Sequence, residues 1–168
     1  MYDQNFWNER YTRDDYLYGT GPNSFLVEHS DLLTGPVLSL SEGEGRNAVF
    51  LAVRGLKVHG VDISEVGLTK AQALAKLKGV EIQTEVADLS NFEPKNNFYG
   101  SVISISAHLP SAVRNNLYPL VERCLKQDGV LLLEAYSERQ LSRNTGGPKD
   151  IDMLMTVDKL KREFPSLE

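Results

Sequence analysis

Two glycines, Gly43 and Gly45, follow directly on the apolar run at residues 37–41, and an acid, Asp62, closes the next such run at 56–62. Glycines in that place let a chain turn sharply and let a ligand approach the backbone with no Cβ in the way. The helix expected behind them offers unpaired N–H groups in its first turn. An aspartate about 20 residues further on can accept hydrogen bonds from both hydroxyls of a ribose. These residue types in this order describe a nucleotide-cofactor site. Their spacing, Gly43-x-Gly45-x-x-Ala48, also fits the dinucleotide fingerprint, so motif shape alone does not choose the cofactor.

Charge separates the candidates. Glu42 and Glu44 bracket Gly43, and a pyrophosphate on that turn would meet two carboxylates at close range, where poorly solvated like charges cost on the order of several kcal/mol. S-adenosylmethionine (SAM) has no phosphate and carries a sulfonium and an ammonium. An acidic turn attracts that ligand and repels the dinucleotide. The bland alternative is that both glutamates are solvated loop residues.

The elements that must hold such a turn are legible in the hydrophobic pattern. Apolar runs at 37–41, 56–62, 80–87, 100–106 and 130–136 read as strands and alternate with amphipathic stretches, which predicts an α/β fold with a mainly parallel sheet and helices on both faces. Residues 46–54 read as a helix closed by Gly55. Residues 64–78 read as a second, with Ser64 as N-cap and Gly79 at its end. Residues 109–125 read as a third, with Pro119 expected to bend it and Cys124 on its apolar stripe. The continuous run Leu131-Leu132-Leu133 predicts a central strand covered on both faces. Residues 1–35, rich in aromatics, are expected to pack as one or two helices over the sheet's ligand edge. The second of these starts at Pro22-Asn23 and ends near Thr34-Gly35-Pro36. Residues 137–150, with Asn144-Thr145-Gly146-Gly147-Pro148, read as a flexible lid loop, and 157–164 as a short helix capped by Thr156.

Composition narrows the class. At 168 residues, 41% hydrophobic and 24% charged, the chain suits one domain, 1–168, comprising an N-terminal aromatic lid (1–35), a cofactor-binding core (36–136) and a loop with a C-terminal helix (137–168). A net charge of −5 and no run of Lys or Arg give no footprint for nucleic acid or an anionic membrane. One cysteine and three scattered histidines offer no disulfide framework and no metal-ligand spacing. No apolar stretch is long enough to span a bilayer and the start is polar, so a cytoplasmic enzyme or binding domain is the default expectation.

The turn Leu40-Ser41-Glu42-Gly43-Glu44-Gly45-Arg46-Asn47-Ala48, the acid in Gly60-Val61-Asp62-Ile63-Ser64 and Ala87-Asp88-Leu89 resemble the class I SAM-dependent methyltransferases. Phe6-Trp7-Asn8-Glu9-Arg10-Tyr11, Tyr18-Gly19-x-x-Pro22-Asn23 and Lys126-Gln127-Asp128-Gly129 are similar to small-molecule methyltransferases of the tellurite-resistance and thiopurine kind. The resemblance implies a doubly wound, Rossmann-like sheet in the order 3-2-1-4-5 and SAM as cofactor. It places Glu42, Gly43 and Gly45 under the methionine part, Asp62 on the ribose, Ile63 against the adenine and Asp88 on its amino group. Asn47, Ala87, Leu89 and Ser106 complete that cofactor set. From the residue types themselves, Arg10 is a candidate for the SAM carboxylate and Arg46 for that carboxylate or an anionic substrate, with solvated surface charge as the alternative for both. Trp7, Tyr11 and Tyr18 are candidates to cover the sulfonium, with packing of the N-terminal helix as the alternative. Trp7, Tyr18, Arg46 and Gly147 would face a small-molecule acceptor, a thiol or chalcogen oxyanion among the candidates.

Two departures from the family pattern stand out. Ser41 occupies a usual glycine position, tolerable if its φ stays negative, and Ser39 a usual acid position, which removes a group that orders the turn. The usual final hairpin strands have no residues here, so the sheet is expected to end at its fifth strand or the chain to be part of a longer one. His108, just beyond the fourth strand, is the candidate general base for an acceptor that must lose a proton; its plain alternative is a polar loop residue. An NAD(P)-linked oxidoreductase and a non-catalytic SAM-binding module are the rival readings.

Overall fold

The alternating pattern folds as it reads. In the computed structural model, which describes residues 3–143 and 146–168, five strands form one parallel sheet: β1 (Val37–Leu40), β2 (Val58–Asp62), β3 (Gln83–Val86), β4 (Tyr99–Ile105) and β5 (Leu125–Glu134). Their order is β3-β2-β1-β4-β5. The chain reverses direction across the sheet between β1 and β4, and in open sheets of this kind ligands collect at the carboxyl ends of the strands beside that switch point. The glycine turn leaves β1 there.

Period-two alternation divides the core. Val37 and Ile103 belong to the apolar layer shared with α3 (Arg46–Val53) and α4 (Glu65–Leu77), whereas Leu38 and Val102 belong to the opposite layer with α5 (Ser111–Cys124). Fully burying a side chain of this size is worth about 1.5–3 kcal/mol. A slip of one residue would exchange the two layers, so the pattern fixes register. Cys124 lies wholly inside the second layer, as its place on the apolar stripe requires.

Several boundaries differ from the sequence reading. The third strand is only Gln83–Val86 and largely exposed, because it forms one edge of the sheet. The Leu131-Leu132-Leu133 run lies on the other edge strand, not a central one; Leu132 is buried while Leu131 and Leu133 are half-buried. β5 also begins earlier than expected, directly after α5. Its pairing jumps from Tyr99 opposite Leu125 to Ser101 opposite Val130, so residues 126–129 bulge out of the ladder with Asp128 at φ 61°. α5 runs through Pro119 as one helix.

The N-terminal segment forms α1 (Gln4–Tyr11) and α2 (Ser24–His29), each with a side-chain cap, from Asp3 and Asn23. α2 gives way after His29 to a 3-10 turn, Ser30–Leu32, short of the expected end. The loop after β5 carries a 3-10 turn, Glu138–Arg143, and a second at Ile151–Met153. Asn144 and Thr145 of the lid motif lie outside the described residues. Thr156 caps α6 (Val157–Glu163), accepting from the Lys159 amide. No helix among the described residues is long and apolar enough to cross a membrane.

Candidate active site

Behind β1 the chain makes three left-handed steps, at Ser41 (φ 53°), Gly43 (64°) and Gly45 (92°). The requirement that Ser41 keep a negative φ is not met. The serine adopts the left-handed conformation usual for the glycine it replaces, at a local cost of about 1–2 kcal/mol. Gly45 is needed twice over: besides its φ, a Cβ there would lie 2.6 Å from the Cα and Cβ of Ala71 on α4.

The missing acid at position 39 is made good from position 42. Glu42 folds its carboxyl back beneath the turn. One oxygen accepts from the Ala48 amide at 3.0 Å in the first turn of α3, and the other is hydrogen-bonded to the Ser39 hydroxyl. Asp62 works from the opposite side, accepting from the Gly43 amide and the Ser64 amide, both at 2.8 Å. Two amides of the turn and the helix behind it, those of Gly43 and Ala48, are therefore occupied by the chain's own carboxyls. A pyrophosphate draws on backbone donors of this kind at a helix N-terminus, whereas a ligand with no phosphate does not.

Both carboxyls are buried. Burial pushes Glu42 up to about 7, against the pull of its hydrogen bonds, and raises Asp62 while the amides of Ser64 and Gly43 partly offset it. A carboxyl whose pKa is higher folded than unfolded stabilises the fold fully below its ordinary value, and that contribution fades as pH rises through about 7. Between pH 4.5 and pH 7 the Glu42 contribution should fall by on the order of 3 kcal/mol. Urea unfolding across that range should show the slope in the native chain, and subtracting the Glu42→Gln variant should isolate it. Identical pH profiles would remove Glu42 as its source.

Glu44 does something else. It forms a buried ion pair with Lys70 of α4 and accepts from the Leu17 amide at 2.7 Å. Its charge is neutralised within the protein, so the expectation that it repels a phosphate by charge is not carried by the geometry. What the turn sets against a phosphate is the pair of amides, Gly43 and Ala48, that its own carboxyls already hold.

Around this turn opens a cleft of about 720 Å³, within the usual range for small-molecule sites. Asp62, Ile63, Asp88 and Leu89 line it from the carboxyl ends of β2 and β3. Ser106 and His108 line it after β4, and Trp7, Arg10, Tyr11 and Tyr18 from the N-terminal segment. Glu42, Gly43, Arg46, Asn47 and Gly147 also face it. Of the residues singled out from sequence, Gly45 and Ala87 do not: Gly45 packs against α4, and Ala87 donates its amide to the Asp62 carbonyl at 3.0 Å. Asp88 is exposed and accepts from the Ser90 amide at 2.8 Å in a local turn.

The aromatic wall is built as a stack. Trp7 lies parallel to Tyr11, ring centres 5.6 Å apart, with the Arg10 guanidinium over the Trp7 ring at 5.9 Å. Asn47, expected to touch the cofactor, accepts from the Asn23 amide at 3.0 Å. Asn23 in turn reaches Glu134 at the tip of β5 at 2.8 Å. Asn23, expected from sequence only as a helix start and motif residue, lines the cleft, as do Glu134 and Tyr136, to which the sequence reading gives no site role. Glu134 was findable, since it ends an apolar run at the edge where ligands collect.

His108 is held. Its Nε2 accepts from the Tyr136 amide at 3.1 Å, which places the ring proton on Nδ1, and the two rings stack at 5.2 Å. Burial lowers its pKa. Gly147 packs against the Tyr136 ring, where a Cβ would lie 2.6 Å from the nearest carbon. Among the described residues no group of three His, Cys, Asp or Glu side chains could hold a metal ion.

A methyltransferase-domain family model matches residues 37–129, from the first strand through the bulge of β5. The chain belongs to that family. Among curated relatives, a tRNA (uracil(54)-C(5))-methyltransferase of Pyrococcus abyssi is 29% identical over 99 residues, half of this chain but 24% of the relative. The chain spans less than half the length of the curated relatives it matches. Among solved structures, one from work on converting a disulfide bond into a thioacetal group in echinomycin biosynthesis has a TM-score of 0.77. It is 19% identical, covering 96% of this chain and 77% of that one. A SAM-dependent methyltransferase from Geobacter sulfurreducens, in complex with S-adenosyl-L-homocysteine, has a TM-score of 0.68 at 18% identity, covering 98% and 71%. These structural likenesses establish the shared fold.

Proposed function

We propose that this chain is a SAM-dependent methyltransferase acting on a small molecule, with a thiol or chalcogen oxyanion as the acceptor class. The observation that carries the choice of cofactor is the pair of buried carboxyls, Glu42 and Asp62, which accept from the Ala48 and Gly43 amides and so take backbone donors of the turn away from a phosphate. Asp62 keeps lone pairs for ribose hydroxyls after accepting two amides. The complex of the Geobacter relative supports the same cofactor. The subfamily of tellurite-resistance and thiopurine methyltransferases belongs to this proposal and rests on the motifs alone.

SAM when bound supplies an electrophilic methyl group on a sulfonium. The chain's own contribution is alignment and exclusion of water. Trp7 and Tyr11 wall one side of the cleft, and Tyr136, backed by His108 and Gly147, walls another. As a base, His108 must first release the Tyr136 amide; as a fixed neutral ring it positions Tyr136. An acceptor that arrives as an anion needs no base, which favours soft sulfur, selenium or tellurium nucleophiles. The Pyrococcus relative acts on tRNA, but a net charge of −5 without a basic run does not suit a nucleic-acid acceptor.

Transfer of labelled methyl from SAM to a panel of thiols, selenite, tellurite, phenols and tRNA tests the reading. Transfer to a small soft nucleophile is expected; label found on tRNA alone would reject the acceptor class, and binding without transfer to anything would favour the non-catalytic module. His108→Ala should spare SAM binding and lower turnover about tenfold. Full activity in that variant would leave His108 no role in the reaction.

A further inference from the structure

Lys70 sits on α4, outside the cleft, yet most of its polar contacts go to the segment that roofs it. Its ammonium lies 3.3 Å from the Tyr11 carbonyl, 3.0 Å from that of Arg13 and 2.7 Å from that of Asp15. The fourth partner is the Glu44 carboxylate, whose second oxygen takes the Leu17 amide. The Lys70 Nζ also lies 4.9 Å from the centre of the Tyr16 ring, and the Tyr16 hydroxyl donates back to the Lys70 carbonyl at 3.1 Å. Residues 12–17, between α1 and α2, form no helix or strand of their own, so these contacts replace a hydrogen-bonding ladder. The pair is nearly dry, with 17% of the Lys70 side chain and 4% of the Glu44 side chain exposed.

We propose that Lys70, with Glu44, is a positioning residue for the methyl-donor site, fixing residues 11–17 as a strap between the glycine turn and α4. The proposal rests on the SAM reading above. At one end of the strap is Tyr11, whose hydroxyl oxygen lies 2.8 Å from where a Cβ on Gly43 would stand; just past the other is Tyr18, also lining the cleft. A compact ammonium suits the task, because it points donors at several carbonyls at once while its charge is cancelled by Glu44. Without it the aromatic wall must be ordered at the moment of binding, and that ordering weakens affinity.

Lys70→Met alone strands the buried Glu44 charge and can unfold the protein, so the decisive variant is Lys70→Met with Glu44→Gln, which removes both charges. Two readouts apply: SAM affinity by calorimetry, and emission of Trp7, the single tryptophan, which stacks on Tyr11 at the start of the strap. The double variant is expected to bind SAM at least tenfold more weakly at a temperature well below its melting point. Its Trp7 emission should be red-shifted without ligand and return toward that of the native protein at saturating SAM. Native affinity and native emission in the folded double variant would overturn the proposal. Failure of the native protein to bind SAM would instead sink the functional reading, and the ligand-free emission difference would still decide whether Lys70 orders the wall.

Discussion

Asp62→Ala should weaken SAM binding at least a hundredfold while leaving a folded protein. A carboxylate accepting from two ribose hydroxyls makes charge-assisted hydrogen bonds of about 1.5–3 kcal/mol each, and losing both corresponds to about two or more powers of ten in affinity. The variant also strands the Gly43 and Ser64 amides, which now share that carboxylate. Each buried amide left unsatisfied costs about 1–3 kcal/mol, so the melting temperature should fall. A domain of ordinary stability, about 5–15 kcal/mol, is expected to absorb that loss. Titration calorimetry on the folded variant separates the two effects. An affinity within threefold of the native value would reject Asp62 as the ribose acceptor.

The second large effect lies away from the cofactor. Arg114 on α5 is only 2% exposed, and its guanidinium grips the Glu163 carboxylate with two hydrogen bonds at 2.8 and 3.0 Å. It also donates to the carbonyls of Leu109 and Asp152. One side chain thus joins α6 to the loop after β4 and the 3-10 turn at Ile151–Met153, whose Leu109 and Met153 line the cleft. Removing one partner of a buried ion pair costs about 3–5 kcal/mol. Arg114→Ala should therefore lower the melting temperature by roughly 6–20 °C, at about 2–4 °C per kcal/mol for a chain of this size. Adding Glu163→Gln should recover part of the loss by removing the stranded charge. A melting temperature within 2 °C of native for Arg114→Ala would show that the grip contributes little.

What the sequence made legible follows from how local each cause is. The glycine turn, Asp62, the Ser64 and Thr156 caps and the layered apolar alternation depend on neighbours a few residues away, and all appear where their spacing puts them. The errors have long-range causes. Three consecutive leucines cannot say whether a strand has a neighbour on its far edge, so β5 read as central. The charges of Glu42 and Glu44 were visible, but their partners Ser39, Ala48, Leu17 and Lys70 were not paired with them in advance. In the structure the two glutamates are internal struts, Glu42 on Ser39 and Ala48 and Glu44 on Leu17 and Lys70. His108 was visible as a titratable group at the right edge. That its Nε2 accepts from Tyr136 depends on how the segment after β5 returns across the loop after β4.

The central claim is that a turn capped by its own Glu42 and Asp62 takes a phosphate-free sulfonium nucleoside and refuses a dinucleotide. Calorimetry of the native chain with SAM, S-adenosylhomocysteine, NAD and NADP under one set of conditions tests it most directly. Saturable one-to-one binding of the first two is expected, with a stability gain of about 2.7 kcal/mol at a hundredfold excess over the dissociation constant, and no heat from the dinucleotides. Saturable binding of NAD or NADP, with none of SAM, would contradict it.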